Sequence, residues 1–205
     1  MLVIFAPPTG YDTEVSQRLQ PDPRVGHSRR AICRAALEEF AAVGHAAFRM
    51  ESVAARAGVG RSTVYRHWPD KAALIADALE TLNVQPDPGR DLAEGTARQQ
   101  VVLLLTHLAR ALTDSPVAPC IPALVHATEN DSAIRDFFHG YSARRRQRLT
   151  DAIAAGVASG QFSERIDPDA ASAALSGALF YRRLMTAEAP DTNFVATLVD
   201  TVLGG

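Results

Sequence analysis

The stretch Phe48-Arg-Met-Glu-Ser-Val-Ala-Ala-Arg-Ala-Gly58-Val-Gly-Arg61-Ser-Thr-Val-Tyr-Arg-His-Trp68 decides the fold. Its spacing predicts two short helices, Met50–Ala57 and Arg61–His67, joined by Gly58-Val59-Gly60. Ala54 is small enough to let two helices cross closely, and Gly58 can supply the positive φ that a three- to four-residue turn needs. Val53, Ala57, Val59 and Val64 fill the space between the helices. The pattern is a helix-turn-helix, with Ala54, Gly58, Val59 and Val64 as its core. Two such short helices cannot bury their own faces. A preceding helix must cover them, and one is predicted from near Ser28, a candidate N-cap, to Val43. It carries Ile32, Ala36, Leu37 and Phe40 at helical spacing, and Gly44 stops it. After the motif, Pro69 ends one helix and Asp70 caps the next, Lys71–Leu82.

The charge distribution singles out the same region. The 205-residue chain has 21 Lys and Arg against 23 Asp and Glu, a formal net charge of −2 that gives no whole-chain attraction to nucleic acid. Residues 24–71 alone hold nine bases against four acids, with His27, His45 and His67 extra. The sequence is therefore a basic module of about 50 residues joined to an acidic body. The exposed side of the second motif helix carries Arg61, Ser62, Thr63, Tyr65, Arg66 and His67: donors, one aromatic and no acid. A major groove accepts a helix of this width and offers base-edge acceptors to Arg and Ser, while hydroxyls and cations at the helix margins suit phosphates.

Outside this module the reading is helical throughout. Residues 1–26, with Pro7, Pro8, Gly10, Pro21, Pro23 and Gly26, read as a flexible arm. The module itself covers residues 27–82, and Pro86-Asp87-Pro88-Gly89 is a linker. The body, 91–205, is predicted to contain helices over Asp91–Thr113, Ala123–Glu129, Asp131–Ser159, Asp167–Thr186 and Pro190–Leu203. Gly160 follows the third of these, and Pro168 stands in the first turn of the fourth. The fold class is all-α, about nine helices: an N-terminal three-helix helix-turn-helix domain plus a helical body.

At this point the chain resembles the TetR family of bacterial transcriptional regulators. The match spans residues 28–82 through Ala54-Ala-Arg-Ala-Gly58-Val59, Thr63-Val-Tyr-Arg-His-Trp68 and Lys71-Ala-Ala-Leu74. Beyond residue 90, the long helix, Gly160-Gln-Phe162, Asp167-Pro168 and Phe180-Tyr-Arg-Arg-Leu184 resemble the family's ligand-binding and dimerisation half. The resemblance implies phosphate contacts by Thr63, Tyr65, His67 and Lys71, and base contacts by Arg61 and Ser62. Arg29 and Arg30 would add backbone or minor-groove contacts from the arm. Gly60 replaces the family's usual Ser cap, Arg49 stands where Thr or Ser usually caps the first motif helix, and Trp68 replaces the commoner Phe. The implied partners are a double-stranded, pseudo-palindromic DNA operator, a small organic ligand and a second copy of the chain. The dimer would form through Pro168–Thr186 and Asp191–Leu203, where Ala171, Ala174, Ser176, Gly177 and Ala178 permit close packing. Leu104, His107, Phe137 and Tyr141 are the candidate pocket residues. Lys71–Leu82 is the expected mechanical link between the halves, coupled to Asp91–Thr113.

Other function classes find less support. No GxSxG, HExxH, P-loop or paired-carboxylate pattern is present, so no catalytic residue and no cofactor is expected. His107, His126 and His139 match no metal-ligand spacing, and no metal is expected. Cys33 and Cys120, far apart in sequence, build neither a disulfide framework nor a zinc site. Arg144-Arg145-Arg146 with Arg148 is the densest basic run. Consecutive helical residues point different ways, so the expectation is solvated or ion-paired side chains. No apolar run reaches a membrane span, and Met1–Pro8 lacks a cationic n-region, so a cytoplasmic protein without a membrane partner is expected. The remaining alternative is a helical adaptor whose helix-turn-helix no longer binds DNA.

Overall fold

The computed structural model describes residues 23–91, 95–186 and 188–204. The described residues form ten α-helices and one short 3₁₀ turn, without strands. Helix α1 spans Pro23–Ala47. It begins five residues ahead of Ser28, so residues 23–26 of the expected arm are its first turn; residues 1–22 lie outside the described residues. A proline suits a first helical turn because no N–H is needed there. Gly44, with φ 69° and ψ 178°, breaks the helix as its sequence suggests, and the chain continues to Ala47.

Helices α2 (Met50–Ala57), α3 (Arg61–His67) and α4 (Lys71–Leu82) match the sequence reading residue for residue. Asp70 caps α4 by accepting from Ala73 N at 2.8 Å. Helix α5 is the single turn Pro88–Asp91. The expected long helix from Asp91 begins instead at Ala97, as α6 (Ala97–Thr113). The reason is a capping box: Thr96 Oγ1 accepts from Gln99 N at 3.2 Å, and Gln99 Oε1 accepts from Thr96 N at 2.8 Å.

The 3₁₀ turn Ala118–Cys120 leads into α7 (Ile121–Asn130), which tolerates Pro122 in its first turn. Helices α8 (Ser132–Ala158), α9 (Pro168–Met185) and α10 (Thr192–Leu203) each start on an aspartate. Asp131, Asp167 and Asp191 accept from the backbone N of Ile134, Ala170 and Phe194.

One continuous apolar core runs through both halves. α1 covers α2 and α4, while α8 is the centre of the body and packs on α6, α7 and α9. α10 closes against α6 and α9. α4 reaches across, packing on α1 and on α8. Among the described residues no single helix is long and apolar enough to cross a membrane.

Candidate nucleic-acid interface and ligand cavity

The motif is held from beneath. Val53, Ala54 and Val64 are fully buried, and Val59 is half-buried against them. Gly58 adopts φ 67° and ψ 31°. This left-handed turn lets Val59 N donate to Ala54 O at 3.0 Å and Gly58 N to Ala55 O at 3.2 Å, satisfying the last carbonyls of α2. Neither Arg49 nor Gly60 caps its helix through a side chain. Arg56 binds the buried Glu39 carboxylate at 3.2 Å and fastens α2 to α1.

The outward side of α3 presents Arg61, Ser62, Tyr65, Arg66 and His67, all exposed, with Thr63 half-exposed beside them. Among the described residues none of these five exposed groups forms an ion pair. The Tyr65 hydroxyl donates to Glu51 Oε1 at 2.8 Å. That bond holds the Glu51 carboxyl below its ordinary pKa and raises the Tyr65 phenol above its own. Lys71 is half-buried; its Nζ donates to His45 O at 2.9 Å, leaving two of its three protons for another acceptor. Arg30 is exposed on α1. Arg29 is folded back onto α4, with its Nε 3.0 Å from Asp77 Oδ2.

Asp77 is the residue that sequence reasoning missed. Besides Arg29, its carboxylate accepts from Trp68 Nε1 at 2.9 Å and Thr81 Oγ1 at 3.3 Å. Burial pushes its pKa up, but the bonds from Arg29 and Trp68 outweigh this and hold it below the ordinary carboxylate value. The indole that replaces the commoner Phe thus pins the end of the exposed helix to α4. The available signal was an acid one turn beyond Leu74, at the edge of an otherwise apolar stripe.

In the body, a cavity of about 170 Å³ opens between α4, α6, α7, α8 and α9. Leu104, His107 and Tyr141 line it; Phe137 does not, and Phe138 takes that place. Both phenylalanines lie about one turn before Tyr141; the rotation of α8 that also brings Ser142, Arg145 and Leu149 to the cavity selects Phe138. The walls are mostly aliphatic, and one rim is polar. There Asn83 Nδ2 donates to Tyr141 Oη at 2.8 Å. Arg145 Nη1 donates to Asn83 O at 2.8 Å and its Nη2 to His107 Nε2 at 2.7 Å. An arginine only donates, so His107 Nε2 must be unprotonated. Burial first, and Arg145 next, lower the His107 pKa to about 4.

The basic run divides as helical geometry requires. Arg144 pairs with Glu80 at 2.6 Å, Arg146 with Asp169 at 3.6 Å, and Arg148 donates to Pro86 O at 3.0 Å. Arg145 and Arg146 both line the cavity, but Arg146 has Asp169 as its partner, whereas Arg145 has no carboxylate partner among the described residues. Cys33 and Cys120 are buried, with thiols pushed by burial to about 11 and about 12. No group of three or more His, Cys, Asp or Glu among the described residues is arranged to hold a metal ion.

Comparison with known proteins carries the reading beyond geometry. The profile of bacterial regulatory proteins of the tetR family matches residues 32–78. That of the tetracyclin repressor-like C-terminal domain matches residues 92–202, more than half the chain. The chain belongs to the TetR family. This TetR-family protein is therefore a DNA-binding transcriptional regulator of the ligand-responsive kind. YdeS of Bacillus subtilis, an uncharacterised HTH-type transcriptional regulator, is 28% identical over 184 residues, covering 89% of this chain and 91% of its own. The DNA-binding transcriptional repressor TetR of Mycobacteroides abscessus is 28% identical over 178 residues, 84% and 90% of the two chains. Among solved structures, NalD, the secondary repressor of the MexAB-OprM multidrug efflux pump in Pseudomonas aeruginosa, aligns with a TM-score of 0.65 at 25% identity. That alignment covers 87% of this chain and 95% of NalD. A Rhodococcus protein described as a TetR-family regulator gives 0.67 at 25% identity, over 86% and 98%.

Proposed function

We propose that this regulator is a repressor that binds a pseudo-palindromic operator as a homodimer and is released by a small molecule. The observation that carries the DNA reading is the acid-free outer side of α3, whose Arg61, Arg66 and His67 form no ion pair among the described residues, set on a buried helix-turn-helix core. Arg61 and Ser62 begin that helix and read base edges. Thr63, Tyr65, His67, Lys71 and Arg30 hold phosphates. Arg29, engaged by Asp77, positions α3 through their shared carboxylate and reaches DNA only by leaving it.

One such helix reads too few base pairs for specificity, and two related by a dyad read two half-sites about 34–36 Å apart or a multiple of that. The dimer reading rests on the outer stripe of α9: Ala174, Gly177, Tyr181, Leu184 and Met185 are exposed along one side. Tyr181 is 63% and Met185 71% exposed in the single chain, which is costly for a solvated helix and natural for a buried seam. Of the small residues in this helix, Ala171 faces the core and Ser176 the cavity, so Ala174, Gly177 and Ala178 are the ones that would allow close approach.

The test is a titration of the purified protein onto DNA flanking its own gene, at several salt concentrations, against scrambled DNA. Tight, salt-dependent binding confined to the native DNA is expected. Equal weak binding to both DNAs would move the reading towards the helical adaptor. Sedimentation should give a dimer at micromolar concentration, and a monomer there would overturn the two-half-site reading.

A further inference from the structure

The cavity contains a cation with no counter-charge. Arg145 is half-buried on its rim, and among the described residues no carboxylate lies within 4.0 Å of it. Its two hydrogen bonds go to neutral acceptors, Asn83 O and His107 Nε2, and its guanidinium lies 4.9 Å over the Tyr141 ring. Glu80 is nearby but bonded to Arg144. Removing a guanidinium from water without an opposite charge is unfavourable, and the guanidinium N–H groups form the forked donor that carboxylates accept in pairs. Beyond this rim the walls are apolar, with Leu104, Leu124, Phe138 and Phe180 among them. A cavity of about 150 Å³ lined this way holds one benzene ring, and the volume here is about 170 Å³.

We infer that the cavity takes a small aromatic carboxylate, its single ring among the apolar walls and its carboxylate on Arg145. This inference rests on the proposed ligand-responsive reading and names the ligand class for it. In the bound state the carboxylate competes with Asn83 O and His107 for the Arg145 protons. It therefore loosens a contact between α8 and the end of α4, which gives binding a route to the DNA-binding half.

The experiment uses the full chain and three probes that share the 4-methylphenyl ring and differ in the charge of the head group: 4-methylbenzoate, 4-methylbenzyl alcohol and 4-methylbenzylamine. Affinities are measured by calorimetry. The carboxylate should bind at least about tenfold more tightly than the alcohol, the scale of one charge-assisted hydrogen-bond pair. Arg145→Met should abolish that ratio while leaving the alcohol's affinity within about twofold; Arg145→Lys should retain part of it. A purely structural role for Arg145 would shift both affinities together. If Arg145→Met does not fold, ring resonances of His107 in the wild type give the second readout. The imidazole pKa read from them should change with the carboxylate, which takes Arg145 from His107, and stay unchanged with the alcohol. Equal or tighter binding of the alcohol or amine overturns the carboxylate inference and leaves the ligand cavity standing. Binding of none of the three to folded protein likewise overturns the aromatic-carboxylate inference and leaves the ligand-responsive reading to ligands of another class.

Discussion

Glu51 is the acid closest to the working face of α3, and its carboxylate holds the Tyr65 hydroxyl at 2.8 Å. A phosphate that takes the hydroxyl must first displace that carboxylate. Glu51→Gln keeps an acceptor for Tyr65 and removes the charge, so affinity for DNA of any sequence should rise about two- to fivefold at low salt. Arg61→Ala should act differently, relaxing base preference at one position by about 1–3 kcal/mol in a binding-site selection. If the two variants change affinity and preference alike, the division into phosphate and base contacts is wrong. His107 yields a prediction of another kind. Its folded pKa is about 4, against 6.5 in an unfolded chain, so between these values the unfolded state binds more protons. Stability from this group is therefore complete above pH about 6.5 and falls as pH drops towards 4, by at most about 3 kcal/mol. His45, lowered by its burial and by Lys71, acts in the same direction. Carboxylates held below their ordinary range, such as Asp77 and Asp131, weaken the fold only at more acid pH. Denaturant unfolding from pH 7 to 4.5 should show the decline, and His107→Gln, which keeps an acceptor for Arg145, should flatten it.

Among the elements, those with strong local punctuation were legible in the sequence. Gly58, Gly60, Pro69 and Asp70 bracket α2, α3 and α4 so tightly that no boundary moved. The start of α6 was misread because the apolar periodicity around Val101 and Leu104 extends smoothly backwards, and only the Thr96–Gln99 reciprocity stops it. The cavity was half legible: Leu104, His107 and Tyr141 share a helical register with the core, but which of two adjacent phenylalanines faces inward depends on how α8 is rotated. Arg145 was not legible, since a run of four nearby arginines carries no mark of the one that reaches the cavity without an acidic partner. Another tertiary constraint falls on Gly156 of α8, which is buried beneath Phe162. A Cβ there would meet the Phe162 ring and lie 2.7 Å from Ala97 Cβ. Gly156→Ala returns up to about 1 kcal/mol of helix propensity. Overpacking costs about 1–3 kcal/mol, so a net loss and a melting temperature lower by several degrees are expected. Adding Phe162→Leu should recover part of it, and a stabilised single variant would show that α8 and α6 do not approach as closely as described.

On the scale of the whole molecule, α4 is the one element among the described residues that belongs to both sites. Its middle holds Trp68 and hence the end of α3 through Asp77, and its last turn gives Leu79 and the following Asn83 to the cavity wall. At about 1.5 Å per residue, a rigid helix of this length carries a displacement over roughly 18 Å without needing a chain of side-chain contacts. The sequence suggested α6 as its partner in the body. The structure gives α8, through Glu80–Arg144 and Asn83–Tyr141. On the proposed reading, a ligand that separates Arg145 from Asn83 O would tilt α4 and carry Trp68 with it, and the two recognition helices of a dimer would leave the spacing the operator requires. A coupling of about 1–3 kcal/mol corresponds to roughly 5–150-fold weaker operator binding. Glu80→Cys and Arg144→Cys, joined by a short bifunctional crosslinker, should fix α4 to α8. Cys33 and Cys120 are buried and raised in pKa, so they compete poorly for the reagent. The crosslinked protein should bind operator normally and lose its release by ligand, while the uncrosslinked double variant keeps it. Release that survives crosslinking would place the coupling elsewhere, with the seam between α9 and α10 of the two copies as the next route to test.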